Sequence, residues 1–417
     1  MITPGKRAAP VPSEAPQTPG PLSSPRFRWF FAGRLVSYLG GSMTPVALTF
    51  GVLQVTNDPK HLGFILAAGI IPLICFTLIG GGLADRFSRD VLLRVTHTGA
   101  GISQAAVAFC VITQQNPLVL IPLVALNGAF QAFTSPALRG IVPQLVATAD
   151  LRRANSLLSI SRSATRIMGP PVAGLLVALT GGGPALALDA FSYLVAAFCM
   201  TRISLPGTPK SASRNLLREL KEGWGYFRTH SWIWSVTLAF AVLNAVQMGV
   251  WQVLGPVIAN QGIGAAGWGV VSGAKAVGLL VAGFLALKFV LRRPLATGLC
   301  GMALNAIPFV LLGMDSEVHW LVLATFIAGI GSGTFNIAWE TALQSNVPND
   351  MISRVSSYDE FGSYVAIPVG QLSVMPIAAA FGAGHVAVAG GILFFVVTLL
   401  PLLFVSVRRL EDNSAKA

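Results

Sequence analysis

The chain has 417 residues, of which 53% are hydrophobic and only 11% are charged. A mean hydropathy of +0.69 over this length excludes a water-soluble domain and is typical of a membrane protein. The net charge of +12 comes from basic residues spread over the ends of apolar segments, which argues against nucleic-acid binding and for a fixed membrane orientation.

Residues 1–26 are rich in proline, serine and alanine and contain no apolar run. Such a segment buries too little apolar surface to offset the entropy lost on ordering, and it lacks the apolar core of a cleavable signal peptide. We predict a disordered cytoplasmic tail over 1–26 and a second short cytoplasmic tail over 410–417.

Twelve apolar segments follow the first tail, each close to the roughly 20 residues that cross a bilayer as a helix. They lie near 29–55, 62–83, 91–113, 117–138, 155–179, 183–203, 231–256, 267–290, 294–314, 319–342, 355–381 and 385–406. The sequence therefore predicts an all-α membrane protein with twelve transmembrane helices.

A polar stretch at 204–230 is the longest inside the chain and leaves six segments on each side. We predict an N-terminal six-helix bundle over 27–203, a cytoplasmic linker over 204–230 and a C-terminal six-helix bundle over 231–409. A Val-Pro pair followed by a polar stretch and a span containing glycine and proline occurs in both halves, which indicates a duplication. Residues 215–230 form either an amphipathic helix on the inner membrane surface or a plain connector.

Lysines and arginines cluster at alternate ends of the predicted spans, and only Lys60 lies in a connection on the other side. Basic residues are enriched in cytoplasmic connections. Both termini are therefore predicted to be cytoplasmic, as an even number of spans requires, in a multi-pass protein of the bacterial cytoplasmic membrane.

The turn between the second and third spans reads GGGLADRFSRD, residues 80–90. Asp85, Arg86 and Arg89 would each cost roughly 2.5–3.5 kcal/mol at the centre of a membrane helix. They must therefore lie where one span ends and the next begins. The glycines before them allow two helices to approach closely at the turn.

This turn resembles the loop between helices 2 and 3 of the major facilitator superfamily, whose pattern is G-x-x-x-D-R/K-x-G-R-R/K. The matching positions are Gly81, Asp85, Arg86 and Arg89. Ser88 stands in place of the second glycine, and Asp90 stands in place of a basic residue. The resemblance implies that the turn belongs to a gate on the cytoplasmic side.

From about residue 27 to residue 409 the chain resembles the drug:proton antiporter branch of that superfamily, which includes macrolide-efflux proteins and the enterobactin exporter. The similar stretches are FAGRLVSYLGGSMTPVAL in the first span, GAFQAFTSPALRGIVPQLV in the fourth and RIMGPPVAGLL in the fifth. The resemblance implies the major facilitator fold, in which two pseudo-symmetric six-helix bundles enclose a site at their interface, and a monomer.

The fifth-span antiporter pattern of this branch centres on a Gly-Pro pair followed by glycines. Its counterparts here are Gly169, Pro170 and Gly174. Proline in mid-helix predicts a kink, which either seals the interface against proton leak or is filled by neighbouring helices. The first span departs from the branch, because Gly41 and Ser42 follow its Leu-Gly pair where an aspartate is usual.

Ionisable side chains inside a span are costly and are therefore candidates for function. Lys275, deep in the eighth span, binds an anionic substrate group, changes protonation during coupling, or serves as a structural partner to an acid or to carbonyl groups. Glu340, near the inner end of the tenth span, contacts a polar or cationic substrate, carries the proton, or reaches cytosolic water. Asp189 in the sixth span is expected to make a hydrogen bond in helix packing.

Further candidates follow from the family fold, because they lie on helices that line its central cavity. Arg34 in the first span, with Arg162 and Arg166 in the fifth, either faces the vestibule of the cavity or anchors the protein at the inner membrane surface. The polar and aromatic candidates are Tyr38, Asn127, Gln131, Asn244, Gln247, Trp251, Asn336, Trp339 and Tyr364.

Asp359 and Glu360 form an acidic pair at the start of the eleventh span, close to the inner face. The family fold places this helix across from helix 2. We therefore predict that an arginine of the 80–90 turn pairs with one of these acids, or that Asp85 lies at the N-terminus of helix 11. The arginines concerned are Arg86 and Arg89. Either contact would hold the inner gate closed while the cavity opens outward.

Catalytic motifs are missing from the sequence. It contains no G-x-x-x-x-G-K-[ST] phosphate loop, no HExxH and no nucleophile elbow, and its four cysteines lack metal-ligand spacing. We expect no enzymatic activity, no cofactor and no metal. The energy source is expected to be an ion gradient, with protons as the coupling ion.

The sequence as a whole predicts a secondary active transporter that exports small amphipathic molecules, such as drugs, antibiotics or siderophores, by alternating access with proton antiport. Two alternatives stay open. One is a facilitator or importer of a nutrient or lipid, and the other is a non-transporting membrane sensor or scaffold. The lysine inside the eighth span argues against a scaffold, which has no need of it.

Overall fold

The fold was analysed on a computed structural model. It describes residues 20–56, 58, 60–84, 88–147, 150–203, 216–288, 293–348 and 351–410. Nearly all of this part of the chain is helical, and it contains no strand.

The first half, in its described residues, folds into six long helices. They are α1 (Pro25–Val55), α2 (Lys60–Ala84), α3 (Arg89–Ile112), α4 (Leu120–Leu145), α5 (Leu151–Thr180) and α6 (Gly182–Thr201). α1 begins where it does because Ser24 caps it, its side-chain oxygen accepting a hydrogen bond from the Phe27 N–H at 3.4 Å. Pro25 follows in the first turn, where its missing N–H leaves nothing unpaired.

The second half, as far as it is described, contains several interrupted spans. Its helices are α7 (Leu216–Thr229), α8 (Ser231–Val246), α9 (Gly255–Gln261), α10 (Gly264–Lys288), α11 (Pro294–Ala303), α12 (Ala306–Gly313), α13 (Val318–Asn346), α14 (Ile352–Tyr364), α15 (Ile367–Phe381), α16 (Ala383–Leu399) and α17 (Val405–Arg408). A π-helix at Gln247–Leu254 joins α8 to α9, and a 3₁₀ segment at Leu400–Leu403 follows α16. The seventh, ninth, eleventh and twelfth spans therefore consist of two or more helical pieces each.

Ten helical segments of the described chain are long and apolar enough to cross a bilayer. The second and fifth predicted spans, α2 and α5, bring the number to twelve. α5 has a low hydropathy because its first half, LRRANSLLSISRSATR, is rich in arginine and serine. The predicted all-α fold with twelve spans is confirmed.

The backbone repeats its turns in the two halves. Among the described residues, the non-glycine positions with positive φ are Gln114, between the third and fourth spans, and Asp315, between the ninth and tenth. Gly181 and Gly382, with φ of 86° and 87°, each form a one-residue link, between the fifth and sixth spans and between the eleventh and twelfth. The same number of residues separates the members of both pairs, as a duplicated chain requires.

Hydrogen bonds between span ends mark one face of the molecule. The Ser24 hydroxyl before α1 donates to the Leu145 carbonyl at the end of α4 (3.0 Å). At the corresponding edge of the second bundle the hydroxyls of Ser231 and Ser406 are 2.9 Å apart. We call the face with these four residues the terminal face, and the opposite face, with the two one-residue glycine links, the loop face.

The linker helix α7 lies against the second bundle at the terminal face. Glu222 accepts a hydrogen bond from the Arg354 guanidinium of α14 at 2.7 Å, and the Tyr226 hydroxyl donates to the Asn346 carbonyl at the end of α13 at 3.0 Å. Of the two alternatives predicted for 215–230, the structure therefore forms the helix and packs it on the bundle.

Candidate functional site

A cavity of about 1050 Å³ lies between the two bundles. The first half contributes to its wall Gly41, Ser42, Pro45, Val46, Arg166 and Pro170. The second half contributes aromatic, amide and charged side chains from α8, the π-helix, α10, α13 and α14. Ligand pockets have volumes of roughly 300–1,000 Å³ and combine apolar walls with a few polar groups. The cavity therefore has the size and lining of a small-molecule site.

The cavity extends to the terminal face. Its wall includes Leu343, one turn before the end of α13, and Ile352 and Ser356 in the first turns of α14. These helix ends lie at the terminal face, where α7 contacts them. Over the described residues, the cavity therefore reaches the terminal face.

Towards the loop face the two bundles touch backbone to backbone. A Cβ on Gly174 of α5 would lie 2.5 Å from the Ala265 carbonyl oxygen of α10, and a Cβ on Gly269 would lie 2.5 Å from the Pro170 carbonyl oxygen. Near Gly63, α2 makes a similar contact with the backbone of α15. Small residues allow helices to approach this closely in a membrane. The structure is therefore a state in which the cavity is closed at the loop face and, over the described residues, extends to the terminal face.

The three residues of the fifth-span antiporter pattern all lie at helix contacts. Gly169 packs against Ser42 of α1 with no room for a side chain, whereas Pro170 and Gly174 face α10 of the other bundle. The helix continues through Pro170 and Pro171. The pattern therefore occupies the junction of α1, α5 and α10.

Lys275 lies half-buried in the cavity wall, midway along α10. Its Nζ is 3.5 Å from the Oε1 atom of Gln247 in the π-helix. It forms no ion pair with any residue that the structure describes. A cation with one neutral partner is available to an anionic group of a bound molecule.

Charged side chains gather where the cavity widens towards the terminal face. Glu340 of α13, Asp359 and Glu360 of α14 and Arg166 of α5 all belong to the wall. Glu340 and Glu360 are exposed, whereas Asp359 is buried. Over the described chain, no group of three His, Cys, Asp or Glu side chains is placed to hold a metal ion.

Asp359 is engaged within its own bundle. Its Oδ1 accepts from the Thr237 hydroxyl of α8 at 2.6 Å, and its Oδ2 accepts from the Trp339 indole N–H of α13 at 2.9 Å. The Ser363 hydroxyl is 3.5 Å from Oδ1. In this state the carboxylate is held by neutral donors, so Trp339 positions Asp359 as well as lining the cavity.

The partners predicted for Asp359 and Glu360 are described only in part. Gly81 belongs to the last turn of α2, and Arg89 is the first residue of α3. Asp85 and Arg86 lie outside the described residues. The gate contact between the 80–90 turn and α14 stays a prediction.

The other candidates from the second half border the cavity. They are Asn244, Gln247, Trp251, Asn336, Trp339 and Tyr364. Trp251 packs against the rings of Trp268 and Phe309, with centroids 4.8 and 5.6 Å away. The Asn244 amide donates to the Ser363 carbonyl at 3.0 Å, which ties α8 to α14.

Apart from Arg166 and Pro170, the candidates from the first half that the structure describes lie away from the cavity wall. The Arg34 guanidinium lies 4.2 Å from the centroid of the Tyr38 ring, and Arg162 donates to the Tyr38 hydroxyl at 3.1 Å. Asn127 is buried and accepts a hydrogen bond from Gln131 at 2.6 Å. The structure therefore places these residues in contacts within the first bundle.

Asp189 lies at the centre of a polar cluster in the same bundle. It is 1% exposed, and its Oδ2 accepts from the Thr44 hydroxyl of α1 at 2.6 Å and from the Gln104 amide of α3 at 2.9 Å. The helix-packing hydrogen bond predicted for Asp189 is confirmed, and it joins three helices.

Several residues of the cavity wall were not predicted from the sequence. They include Phe240, Gln252, Trp268 and Ser272. Gln252 carries a signal that could have found it, since it is an amide inside an apolar span. The aromatic residues carry none, because an aromatic side chain fits a cavity wall, a helix contact or lipid equally well.

Comparison with known families assigns the chain clearly. Residues 30–371 match the family described as the Major Facilitator Superfamily. A similar protein is the uncharacterized MFS-type transporter YfiS of Bacillus subtilis (strain 168), 25% identical over 391 residues, which are 89% of this chain and 91% of YfiS.

Two further relatives are described as efflux proteins. The multidrug efflux pump Tap of Mycobacterium tuberculosis is 24% identical over 86% of this chain and 88% of its own length. Macrolide efflux protein A of Streptococcus pyogenes is 22% identical over 93% of this chain and 97% of its own length. Both similarities extend over nearly all of the molecule.

Among solved structures, the nucleoside transporter NupG has the same fold. The two superpose with a TM-score of 0.73 over 91% of this chain and 98% of NupG, at 13% sequence identity. At this identity the likeness concerns the fold alone.

Proposed function

The chain belongs to the Major Facilitator Superfamily, and we propose that it exports small amphipathic molecules, such as drugs, antibiotics or siderophores, in exchange for protons. As a member of this family it is a multi-pass membrane transporter of small molecules and not an enzyme. The proposal places it as a monomer in the bacterial cytoplasmic membrane, with both termini in the cytoplasm.

The observation that carries the proposal is the cavity between the bundles, closed at the loop face and, over the described residues, extending to the terminal face. Its lining comes from both bundles, so a rocking motion of one bundle against the other exposes it to each side in turn. The close glycine contacts of α5 with α10 lie at the closed end. Opening them and closing the terminal face would produce the opposite state.

The distribution of basic residues supports loading from the cytoplasm. At the terminal face the first or last turns of described helices contain Arg28, Arg153, Arg228, Arg354 and Arg408, whereas at the loop face Lys60 alone of the described lysines and arginines is found. By the positive-inside rule the terminal face is cytoplasmic. The open cavity then faces the cytoplasm, where an exported molecule must bind.

The wall of the cavity supports an amphipathic substrate. Trp251, Trp268 and Phe240 offer aromatic surface for an apolar body. Lys275 offers a cation for a carboxylate or phosphate group, and Glu340 at the wider end offers an anion. A molecule with an apolar body and an anionic or zwitterionic group meets all three features.

Similarity to known proteins supports the direction of transport and its coupling to protons. Tap and macrolide efflux protein A are named as efflux proteins and are similar over nearly their whole length. The fifth-span antiporter pattern, Gly169, Pro170 and Gly174, lies at the junction of the bundles, where a tight seal would limit proton leak. The sequence contains no phosphate loop for ATP.

The proposal is tested by proton-coupled flux in inverted membrane vesicles. The lumen is acidified, a pH-sensitive dye reports the gradient, and erythromycin, ethidium or a carboxylate siderophore is added. We expect at least one compound to release protons from the lumen in vesicles that contain the protein and not in vesicles from cells that lack it. Uptake of a compound with no change in the gradient would contradict antiport, and accumulation by intact cells would indicate an importer.

A further inference from the structure

A buried carboxyl group in the first bundle is not explained by the cavity. Asp189 is 1% exposed and borders no part of the cavity wall. Its Oδ2 accepts from Thr44 of α1 and Gln104 of α3, and the Ser192 hydroxyl is 3.4 Å from its Oδ1. Ionisable groups inside a membrane protein are expensive to bury, so a function for this one is expected.

Both hydroxyl groups that contact Asp189 have a second acceptor. Thr44 Oγ1 is 3.2 Å from the Gly40 carbonyl oxygen, and Ser192 Oγ is 2.7 Å from the backbone carbonyl oxygen of Asp189. When the carboxylate is ionised, Thr44 donates to it. When it is protonated, its O–H donates to Thr44 Oγ1 and the Thr44 hydroxyl turns to Gly40. A proton can therefore be added without leaving a buried polar group unpaired.

Three amide side chains direct their donors towards Asp189. Gln131 donates to Asn127 Oδ1 at 2.6 Å, Asn127 donates to Gln104 Oε1 at 3.4 Å, and Gln104 donates to Asp189. Hydrogen bonds aligned in one direction polarise one another. This series of three amide hydrogen bonds stabilises the carboxylate of Asp189 without a cation.

No lysine or arginine of the described chain pairs with Asp189. The titratable and charged groups on the helices around it include Tyr193 of α6, His97 of α3, Arg34 and Tyr38 of α1, and Arg162 of α5. Tyr193 lies one turn along the same helix, and the His97 ring is 6.2 Å from the Tyr193 ring. Because none of them forms an ion pair with Asp189, its protonation breaks no salt bridge.

Helix α1 connects this carboxyl group to the cavity. Gly40 and Thr44 contact Asp189. The neighbouring residues that border the cavity are Gly41, Ser42 and Pro45. Ser42 also packs against Gly169 of α5. A change in the hydrogen bonding of Thr44 therefore acts on the stretch of helix that walls the cavity and touches α5.

We propose that Asp189 is the residue that binds and releases the transported proton, an inference that rests on the antiport function proposed above. A proton from outside forms the carboxylic acid at Asp189 while the cavity faces outward. It leaves to the cytoplasm, restoring the carboxylate, while the cavity faces inward. Each change moves the Thr44 hydroxyl between Asp189 and Gly40, which couples proton binding to the contact between α1 and α6.

The test measures proton binding directly and needs no substrate. The full chain is reconstituted in liposomes, and infrared difference spectra are recorded while the pH is stepped across the neutral range, since a carboxylic acid has a C=O band that a carboxylate lacks. Asp359→Asn is the matched control, because Asp359 is also buried and held by neutral donors. We expect a titrating band in the native protein and in Asp359→Asn, and its loss in Asp189→Asn.

Three results would overturn the inference: an unchanged band in Asp189→Asn, loss of the band in Asp359→Asn instead, or no titrating band in the native protein. If Asp189→Asn does not fold, Thr44→Val and Gln104→Leu keep the carboxyl group and remove one donor each. In these two variants the midpoint pH of the carboxylic-acid band is expected to differ from that of the native protein by about one unit. An unchanged midpoint in both variants would also overturn it.

The failure of this inference differs from failure of the proposed function. If no compound moves protons in vesicles while the band of Asp189 titrates, antiport is wrong and Asp189 is still a proton-binding site. If a compound drives proton release from Asp189→Asn vesicles as it does from native vesicles, antiport stands and another residue carries the proton.

Discussion

Two neighbouring glycines of α1 have different surroundings. A Cβ on Gly40 would lie 2.6 Å from Asp189 Oδ1, whereas a Cβ on Gly41 would meet nothing within 4 Å. Gly40 therefore brings α1 close enough to α6 for Thr44 to reach Asp189, and Gly41 faces the cavity. The first span lacks the aspartate that usually follows its Leu-Gly pair. In the structure a carboxyl group nevertheless lies beside Gly40 of that pair, and it belongs to Asp189 of the sixth span.

This difference predicts the stability of two matched variants. We expect Gly40→Ala to lower the free energy of unfolding by about 1–3 kcal/mol, because the added methyl group overpacks the contact between α1 and α6. Gly41→Ala should not lower it, because the added methyl group meets nothing within 4 Å and alanine favours a helix over glycine. Thermal unfolding of the purified proteins measures both, and equal midpoints for the two variants would contradict the packing described for Gly40.

Lys275 leads to a prediction about binding. Replacing it by alanine removes the cation of the cavity wall, so an anionic compound exported by the protein should bind roughly tenfold or more weakly, the usual cost of a lost hydrogen bond to a charged group. The control is Lys288→Ala, which removes the exposed lysine at the end of the same helix. Equilibrium binding of the compound to both variants measures the effect, and equal loss in both would argue against a contact with Lys275.

At the scale of elements, the seal between α5 and α10 depends on glycine. A larger residue at Gly174 would push the Ala265 backbone away and disfavour closure at the loop face. We expect Gly174→Val to shift the protein towards the state open to the outside. Gly283→Val in α10 is the control, because a Cβ there meets nothing within 4 Å.

The shift can be read from the accessibility of the cavity. A cysteine in place of Ser272, in a chain without its four native cysteines, lies in the wall. With Gly174→Val it should react faster with a membrane-impermeant maleimide added to intact cells, and with Gly283→Val it should not. Labelling that stays slow in both would mean that the α5 contact does not hold the loop face closed.

We expect the gate proposed between the 80–90 turn and α14 to form in the state in which the terminal face is closed. In the present state Asp359 accepts hydrogen bonds from Thr237 and Trp339, so a charge contact with Asp359 would replace these donors as the terminal face closes. We expect Arg86→Glu to abolish most transport and Arg86→Glu with Asp359→Arg or Glu360→Arg to restore part of it. Flux in cells measures this, and no rescue in either pairing would exclude a charge contact. Only a few kcal/mol of bias between the states is needed.

The sequence predicted the spans well but not their interruptions. Apolar length and flanking charges fix where a helix crosses the membrane, so α3, α6 and α10 begin and end within a few residues of their predicted bounds. The π-helix at Gln247–Leu254 was not predicted, because its apolar sequence is equally compatible with an α-helix.

Only part of the candidate site was predicted, because the sequence pattern of a span does not show which neighbours each side of the helix has. Lys275, Glu340 and their neighbours on α8, α13 and α14 border the cavity, whereas Tyr38 and Asn127 are turned into the first bundle. In a span that is apolar on every side, lipid and protein neighbours favour the same residues. The sequence therefore does not reveal which side of a helix faces the cavity.

At the scale of the whole molecule, the sidedness of the membrane decides between export and import. We expect a green fluorescent protein fused after Arg409 to fluoresce and an alkaline phosphatase inserted at Gln114 or Asp315 to be active, because the first folds in the cytoplasm and the second only outside it. The opposite pattern would place the terminal face outside and would contradict loading of the cavity from the cytoplasm.

The repeated positions Gln114 with Asp315 and Gly181 with Gly382 have a consequence for ancestry. Each half contains every turn that its own six helices need, and α7 packs on the second half. A gene of half the length could have encoded a self-pairing ancestor, later fused head to tail. A chain severed between Ile203 and Leu216 should then reassemble from two co-expressed fragments, which makes the present chain a tethered pair of halves.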